Sequence, residues 1–242
     1  MSTLTNEHIN CSNCPIRHRA ICARCDTAEL DLLDQIKSYN TYDASQPILW
    51  RGDVLPHFSS IVSGVASLTK TMEDGRTQMV GLLLPSDFIG GPGRKSIEFD
   101  VTAITKLTLC SFRRQPFNEL VRDVPHIASR LAEMALDELD AAREWMVLLG
   151  RKTAKEKIAT FLEMLVRRVG HPDRSSHSVD LPLTQDEIAN FLGLTLETVS
   201  RQMSAFRKNR VIEFLDRRHF RVLDMRALNL ASGDDADGAI LS

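Results

Sequence analysis

The chain has 242 residues, 43% of them apolar and 26% charged, with a formal net charge of −2. That length accommodates two modest cores, and the charge balance excludes a uniformly basic coat, so any nucleic-acid surface must be local. No apolar run of about 18 residues is present to span a membrane. Met1-Ser-Thr-Leu-Thr-Asn-Glu-His8 lacks the basic and apolar regions of a secretory signal, which points to a cytoplasmic protein with reduced thiols.

Four of the five cysteines, Cys11, Cys14, Cys22 and Cys25, open the chain. Residues 1–27 are short on apolar side chains and read as an arm that folds around a ligand. Thiolates this closely spaced suit one soft metal centre. Cys11-x2-Cys14 and Cys22-x2-Cys25 form a structural zinc pattern, with a gap tighter than in a usual zinc ribbon. An iron–sulfur cluster using a distant fourth thiol fits the cysteine count equally well. That thiol would be Cys110, in the strand-like run Leu107-Thr-Leu-Cys-Ser-Phe112, although a lone cysteine there is also an ordinary small core residue.

Thr27–Ile36 has helical periodicity, with Leu30, Leu33 and Ile36 on one side and Thr27 as N-cap. Residues 28–124 then hold short strands at 47–50, 59–62, 65–70, 78–84 and 101–109. The turn signals between them include Arg51-Gly-Asp53, Ser63-Gly64, Asp74-Gly75 and Gly90-Gly-Pro-Gly93. Such spacing predicts a small barrel or jelly roll, with Asp74-Gly75 at a hairpin. Pro125 opens a helix to Gly150. Its apolar seam of Leu131, Ala135, Leu139, Ala142, Met146 and Leu149 is narrow enough to pair with a second copy. Trp50 and Trp145 are read as packing residues.

Residues 151–231 return to helix and then a hairpin, 211–215 with 219–223, and 232–242 form an acidic tail. Within this part lies a helix-turn-helix pattern. Thr184 and Glu187 make a capping box, Gly193 suits a left-handed turn, and Thr195 caps the next helix. Val199, Met203 and Phe206 then point inward. Glu197, Ser200 and Arg201 share the N-terminal face of that second helix. A carboxylate there can accept from cytosine N4, and a guanidinium can reach guanine O6 and N7. Thr195, Thr198, Arg207, Lys208 and Arg217 extend the DNA-contacting set, with Arg210, Arg218 and Arg221 adding local positive charge for phosphates. No Gly-x-Ser-x-Gly, phosphate-cradling P-loop or His-Glu-x-x-His is present, so the reading is not an enzyme.

The order of cysteine arm, β-roll, long helix and winged helix-turn-helix, with Thr195-Leu-Glu-Thr-Val-Ser-Arg201, resembles the CRP/FNR superfamily of bacterial transcription regulators over nearly the whole chain. Cys11-x2-Cys14-x7-Cys22 is similar to the spacing in its FNR-type (FnrL/FnrN/FnrP-like) oxygen-responsive branch. The resemblance implies an α+β architecture: the arm (1–27), a double-stranded β-helix (jelly-roll) sensory domain (28–124), a dimerisation helix (125–150) and the DNA-binding domain (151–231). It further implies a [4Fe-4S] cluster on Cys11, Cys14, Cys22 and Cys110, with Cys25 spare. Oxygen would convert the cluster toward [2Fe-2S] and abolish dimerisation and DNA binding. The implied target is a TTGAT-N4-ATCAA-type site controlling anaerobic or microaerobic genes, bound as a homodimer that touches RNA polymerase near Glu73-Asp-Gly75. The superfamily's cyclic-nucleotide pocket uses a Gly-Glu pair that Gly90-Gly-Pro-Gly-Arg-Lys-Ser96 lacks, so the resemblance does not extend to nucleotide sensing.

Overall fold

A computed structural model describes residues 10–91, 94–169 and 178–233. The loop expected around residues 170–178 and the tail beyond Gly233 lie almost wholly outside these. The chain divides into two compact units, residues 1–70 with 82–136 and residues 71–81 with 137–242.

The first unit begins with a 3-10 turn at Cys11–Asn13, capped by the Asn10 side chain. Helix α1 (Thr27–Ile36) follows. Its N-cap is Asp26, not Thr27: Asp26 accepts from the Glu29 amide at 2.9 Å and Glu29 accepts from the Asp26 amide at 2.9 Å. Thr27 is the first helical residue. The strands from Lys37 to Arg113 are β1 (Lys37–Tyr42), β2 (Pro47–Leu49), β3 (His57–Ser63), β4 (Ala66–Thr71), β5 (Thr77–Leu83, most of it counted with the second unit), β6 (Phe88–Ile89), β7 (Asp100–Ala103) and β8 (Leu107–Arg113). They form two four-stranded sheets, ordered β1-β8-β3-β6 and β2-β7-β4-β5. The run expected as one strand over 101–109 is two, broken at Ile104–Lys106. Helices α2 (Arg114–Asp123) and α3 (Pro125–Arg151) follow, and α3 continues into the second unit.

Sheet β1-β8-β3-β6 is buried on both faces, because alternate side chains on a strand point opposite ways. Ile61, Leu107 and Leu109 enter the core shared with the second sheet. Phe58, Val62, Cys110 and Phe112 face the other way, into a cluster with α1, α2, α3 and the arm. In that cluster Phe117 lies 5.0 Å from Phe58 and 5.3 Å from Phe112 between ring centroids. The arm contributes Ile16, Ala20 and Ile21, all buried. These three apolar residues seat the arm on the main core. Trp50 is also corrected, since it is 58% exposed.

The second unit packs α4 (Ala154–Val169), β9 (Ser178–Asp180), α5 (Gln185–Leu192), α6 (Leu196–Lys208), β10 (Ile212–Phe214), β11 (His219–Val222) and α7 (Met225–Ser232). Strands β10-β11-β9 make an antiparallel wing. Ile158, Phe161, Phe191, Leu192, Val199, Met203 and Phe206 are buried. Trp145 does pack, stacking on Phe191 at 4.2 Å. Ser232, taken as the start of the tail, is the buried last residue of α7. No helix among the described residues is long and apolar enough to cross a membrane.

Candidate metal centre and candidate nucleic-acid interface

All five cysteines are free thiols, and all five belong to or pack against the apolar cluster beneath the arm. Cys110 reaches it because β8 pairs with β1 and β3, with Cys110 opposite Tyr39 and Ser60. Cys11, Cys22, Cys25 and Cys110 are buried, and Cys14 is half-buried. Burial pushes the Cys11 and Cys25 thiols up to about 12 and raises those of Cys22 and Cys110 as well. The charges acting on Cys110 include Cys11, Cys14 and Cys22, whereas those on Cys25 are Cys22, Glu29, Asp26 and Cys11. Among the described residues, no group of three or more His, Cys, Asp or Glu is placed so that it could hold a metal ion. The donor set is nonetheless soft, sulfur-rich and shielded from water, as an iron–sulfur or zinc centre requires. A bound metal would offset the burial penalty by deprotonating its ligands outright.

Two groups of residues around the pocket were not anticipated. Lys37, with a side chain only 10% exposed, directs its ammonium at the Cys11 sulfur from 3.7 Å. Asp34 pairs with that ammonium and also accepts from the Cys11 amide at 3.1 Å. Asp34 and the thiols Cys11 and Cys110 raise the Lys37 pKa, although burial, the largest influence, opposes them. The three-residue spacing of Asp34 and Lys37 at the end of α1 is a weak signal of such a pair. The second group joins the arm to α3. Arg130 donates to the Arg19 carbonyl at 2.7 Å and lies 3.3 Å from Glu133, which in turn pairs with Arg24 at 2.7 Å. His126 lies 3.0 Å from Glu29. Nothing in the local sequence marks Arg130 for this contact.

Of the six seam residues on α3, Leu131 is half-buried and packs on the first unit's own core cluster. Ala135, Leu139, Ala142, Met146 and Leu149 are exposed in the single chain. Leu136 and Val147, absent from the expected seam, are exposed too.

The helix-turn-helix forms from its local signals. Thr184 and Glu187 complete the capping box, Gly193 ends α5 with φ +62°, and Thr195 caps α6 by accepting from the Thr198 amide at 3.3 Å. Lys157, itself buried, donates to the Leu192 carbonyl at 3.1 Å and satisfies the end of α5. At the start of α6, Glu197 and Arg201 are exposed and Ser200 is half-buried. Hydrogen bonds from its own amide and from the Thr195 hydroxyl hold the Glu197 carboxyl below the usual range, so it stays ionised. The Thr195 and Thr198 hydroxyls lie 3.0 Å apart. Arg207, Lys208, Arg217 and Arg218 are exposed. Arg221 is not available in the same way, because it pairs with Glu213 across the wing at 2.5 Å. Asp216 shapes the wing tip by accepting the Arg218 and His219 amides at 2.7 and 2.9 Å. Asp74-Gly75 turns the β4–β5 hairpin, with Gly75 at φ +84°.

Residues 156–231 match the Crp-like helix-turn-helix domain family, and residues 39–123 match the cyclic nucleotide-binding domain family. The transcriptional activator protein FnrL of Cereibacter sphaeroides is 55% identical over 234 residues, covering 95% of this chain and 94% of that protein. The chain belongs to the CRP/FNR family of transcription regulators. Another CRP/FNR relative, the nitrogen fixation regulation protein FixK of Bradyrhizobium diazoefficiens, is 36% identical over 205 residues, 85% of this chain and 86% of its own. The structure of FixK2 from Bradyrhizobium japonicum superposes with a TM-score of 0.76 at 28% identity, covering 83% of this chain and all of that one. These likenesses establish the jelly-roll and winged-helix architecture of the CRP/FNR family. Within it, the cysteine pocket and the α6 face are the two sites with chemistry to assign.

Proposed function

We propose that this chain is a cytoplasmic, oxygen-responsive transcription activator of the FNR type. In this reading Cys11, Cys14, Cys22 and Cys110 hold a [4Fe-4S] cluster, and two copies pair along α3 to bind a TTGAT-N4-ATCAA-type site next to RNA polymerase. The observation that carries it is the shared apolar cluster in which Cys110, from β8, lies with Cys11 and Cys22 from the arm. A zinc knot made from the arm's own two Cys-x2-Cys pairs would leave Cys110 without a task. Such a cluster supplies oxygen-labile ligation, which zinc, lacking redox chemistry, does not. The name of the Cereibacter relative, a transcriptional activator, agrees with the activating role.

The chain's own residues offer a route from pocket to DNA. Ligation orders the arm. The ordered arm keeps the Arg19 carbonyl and Arg24 on Arg130 and Glu133, so the first turns of α3 are held when the arm is held. Further along α3, Leu139, Met146 and Leu149 expose apolar surface that a second copy would cover. Pairing presents two copies of α6, and binding both half-sites together multiplies affinity. On each copy Arg201 would read guanine and Glu197 cytosine, with Ser200 beside them, while Thr195, Thr198, Arg207, Lys208 and Arg217 would hold the backbone.

One observation favours a second reading. Cys25 is as buried as Cys11 and is coupled to Cys22, as a four-thiol zinc site within the arm would require. DNA titration separates the two. Anaerobically purified protein should bind a TTGAT-N4-ATCAA duplex roughly 100-fold or more tightly than the same protein after air exposure, as expected when paired half-site binding is lost. Equal affinity before and after air would sink the oxygen-responsive reading.

A further inference from the structure

Lys37 is an expensive residue to bury beside cysteines unless its charge has a use. Its surroundings form a cage. The Cys11 sulfur lies at 3.7 Å, Asp34 pairs with it from α1, and the Tyr39 ring centroid lies 5.3 Å from the ammonium. Tyr39 is itself opposite Cys110 on the neighbouring strand. Lys37 therefore stands where the arm's first thiol and the barrel's thiol meet. Its backbone amide closes the last turn of α1 on Leu33, which fixes the base of the side chain.

We infer that Lys37 is a positioning residue of the cysteine pocket. Its caged ammonium donates to the Cys11 sulfur and offsets thiolate charge, and so sets how fast an iron–sulfur cluster held there is lost in oxygen. This rests on the cluster reading above. Four thiolates around a doubly positive [4Fe-4S] core leave a net charge of about −2 in an apolar site, where a nearby positive charge counts for more than in water. A cluster held by these cysteines would supply one electron to dioxygen, which would leave as superoxide, and the centre would be left one charge more positive. A fixed ammonium opposes that gain of positive charge. Asp34 works against it, because its carboxylate partly cancels the ammonium. The same carboxylate orients the Cys11 backbone, a task an asparagine oxygen can keep.

The test compares full-length wild type with Lys37→Met, Lys37→Arg and Asp34→Asn after anaerobic reconstitution with iron and sulfide. Iron and sulfide per chain are assayed first, then the decay of visible absorbance in air-saturated buffer and the midpoint potential. Lys37→Met should load iron and sulfide, bleach roughly three- to tenfold faster than wild type and have a lower midpoint. Lys37→Arg, which keeps the charge and a donor, should stay within about twofold of wild type. Asp34→Asn should bleach more slowly than wild type. A loaded Lys37→Met that bleaches at the wild-type rate overturns the inference, as does Lys37→Arg behaving like Lys37→Met. Should Lys37→Met fail to load, Asp34→Asn decides: slower bleaching supports the role and unchanged or faster bleaching overturns it. A wild-type chain that takes up no iron and sulfide overturns the cluster reading itself, and the role of Lys37 with it.

Discussion

The helix-turn-helix is assembled from one continuous stretch, Thr184 to Lys208, and its geometry is closed by neighbours in sequence: Thr184 with Glu187, Thr195 with Thr198, and Gly193 between the helices. The cysteine pocket draws on the arm, the end of α1 and the middle of β8, and its members meet through tertiary packing alone. The first takes its caps and turn from its own stretch, with Lys157 of the same unit completing the end of α5. The second has an apolar scaffold in Ile16, Ala20 and Ile21, and in the proposed reading a cluster ties its thiols together. A regulator benefits from that contrast, since a switch belongs where order depends on a ligand and base recognition where it does not.

Cysteine replacement should break the comparison most sharply. Cys11→Ala, Cys14→Ala, Cys22→Ala and Cys110→Ala should each abolish iron incorporation, measured by metal analysis of anaerobic protein, while Cys25→Ala retains it. Iron retained in Cys22→Ala would move the third ligand to Cys25. In all five variants the DNA-binding unit should keep its thermal transition, because none of these thiols belongs to it.

Arg201→Ala and Glu197→Ala should give the converse result. Each should weaken operator binding by about 1–3 kcal/mol and relax base preference at one position, with iron content unchanged. A competition series with single-base operator variants measures this. Arg130→Ala sharpens the link between the two regions. It removes a charge-assisted hydrogen bond to the Arg19 carbonyl, worth about 1.5–3 kcal/mol, and should loosen the arm. Amide exchange at residues 16–22 should accelerate, and sedimentation should detect weaker pairing. The smallest effect is expected from Thr195→Ala, which removes the α6 cap at about 1 kcal/mol and should lower the melting point of the DNA-binding unit without touching the pocket.

What the sequence discloses follows the same division. Caps, turn glycines and helical periodicity act over three or four residues, so α5, α6, the β10–β11 hairpin of the wing and the Asp74-Gly75 hairpin could be read directly, whereas β9, the wing's third strand, could not. Strand β1 could not, because Lys37-Ser-Tyr-Asn-Thr-Tyr42 is polar at most positions and is held by pairing with β8. Helix α2 is hidden by Pro116, which is tolerated within the first helical turn. That Cys110 lies under the arm depends on strand register, since one residue's slip would turn it into the other core. The resemblance to FNR-type regulators implies Cys110 as a ligand independently of that register. Arg130 carries no signature and Lys37 only the weak one of its spacing from Asp34, because the contacts that matter to each come from far along the chain.

The most direct test of the account is the metal content of wild-type protein purified without oxygen. The account predicts a brown protein with iron and acid-labile sulfide in equal amounts, about four of each per chain, both lost together with operator binding on exposure to air. A colourless protein holding one zinc per chain, and binding the operator equally well in air, would contradict it.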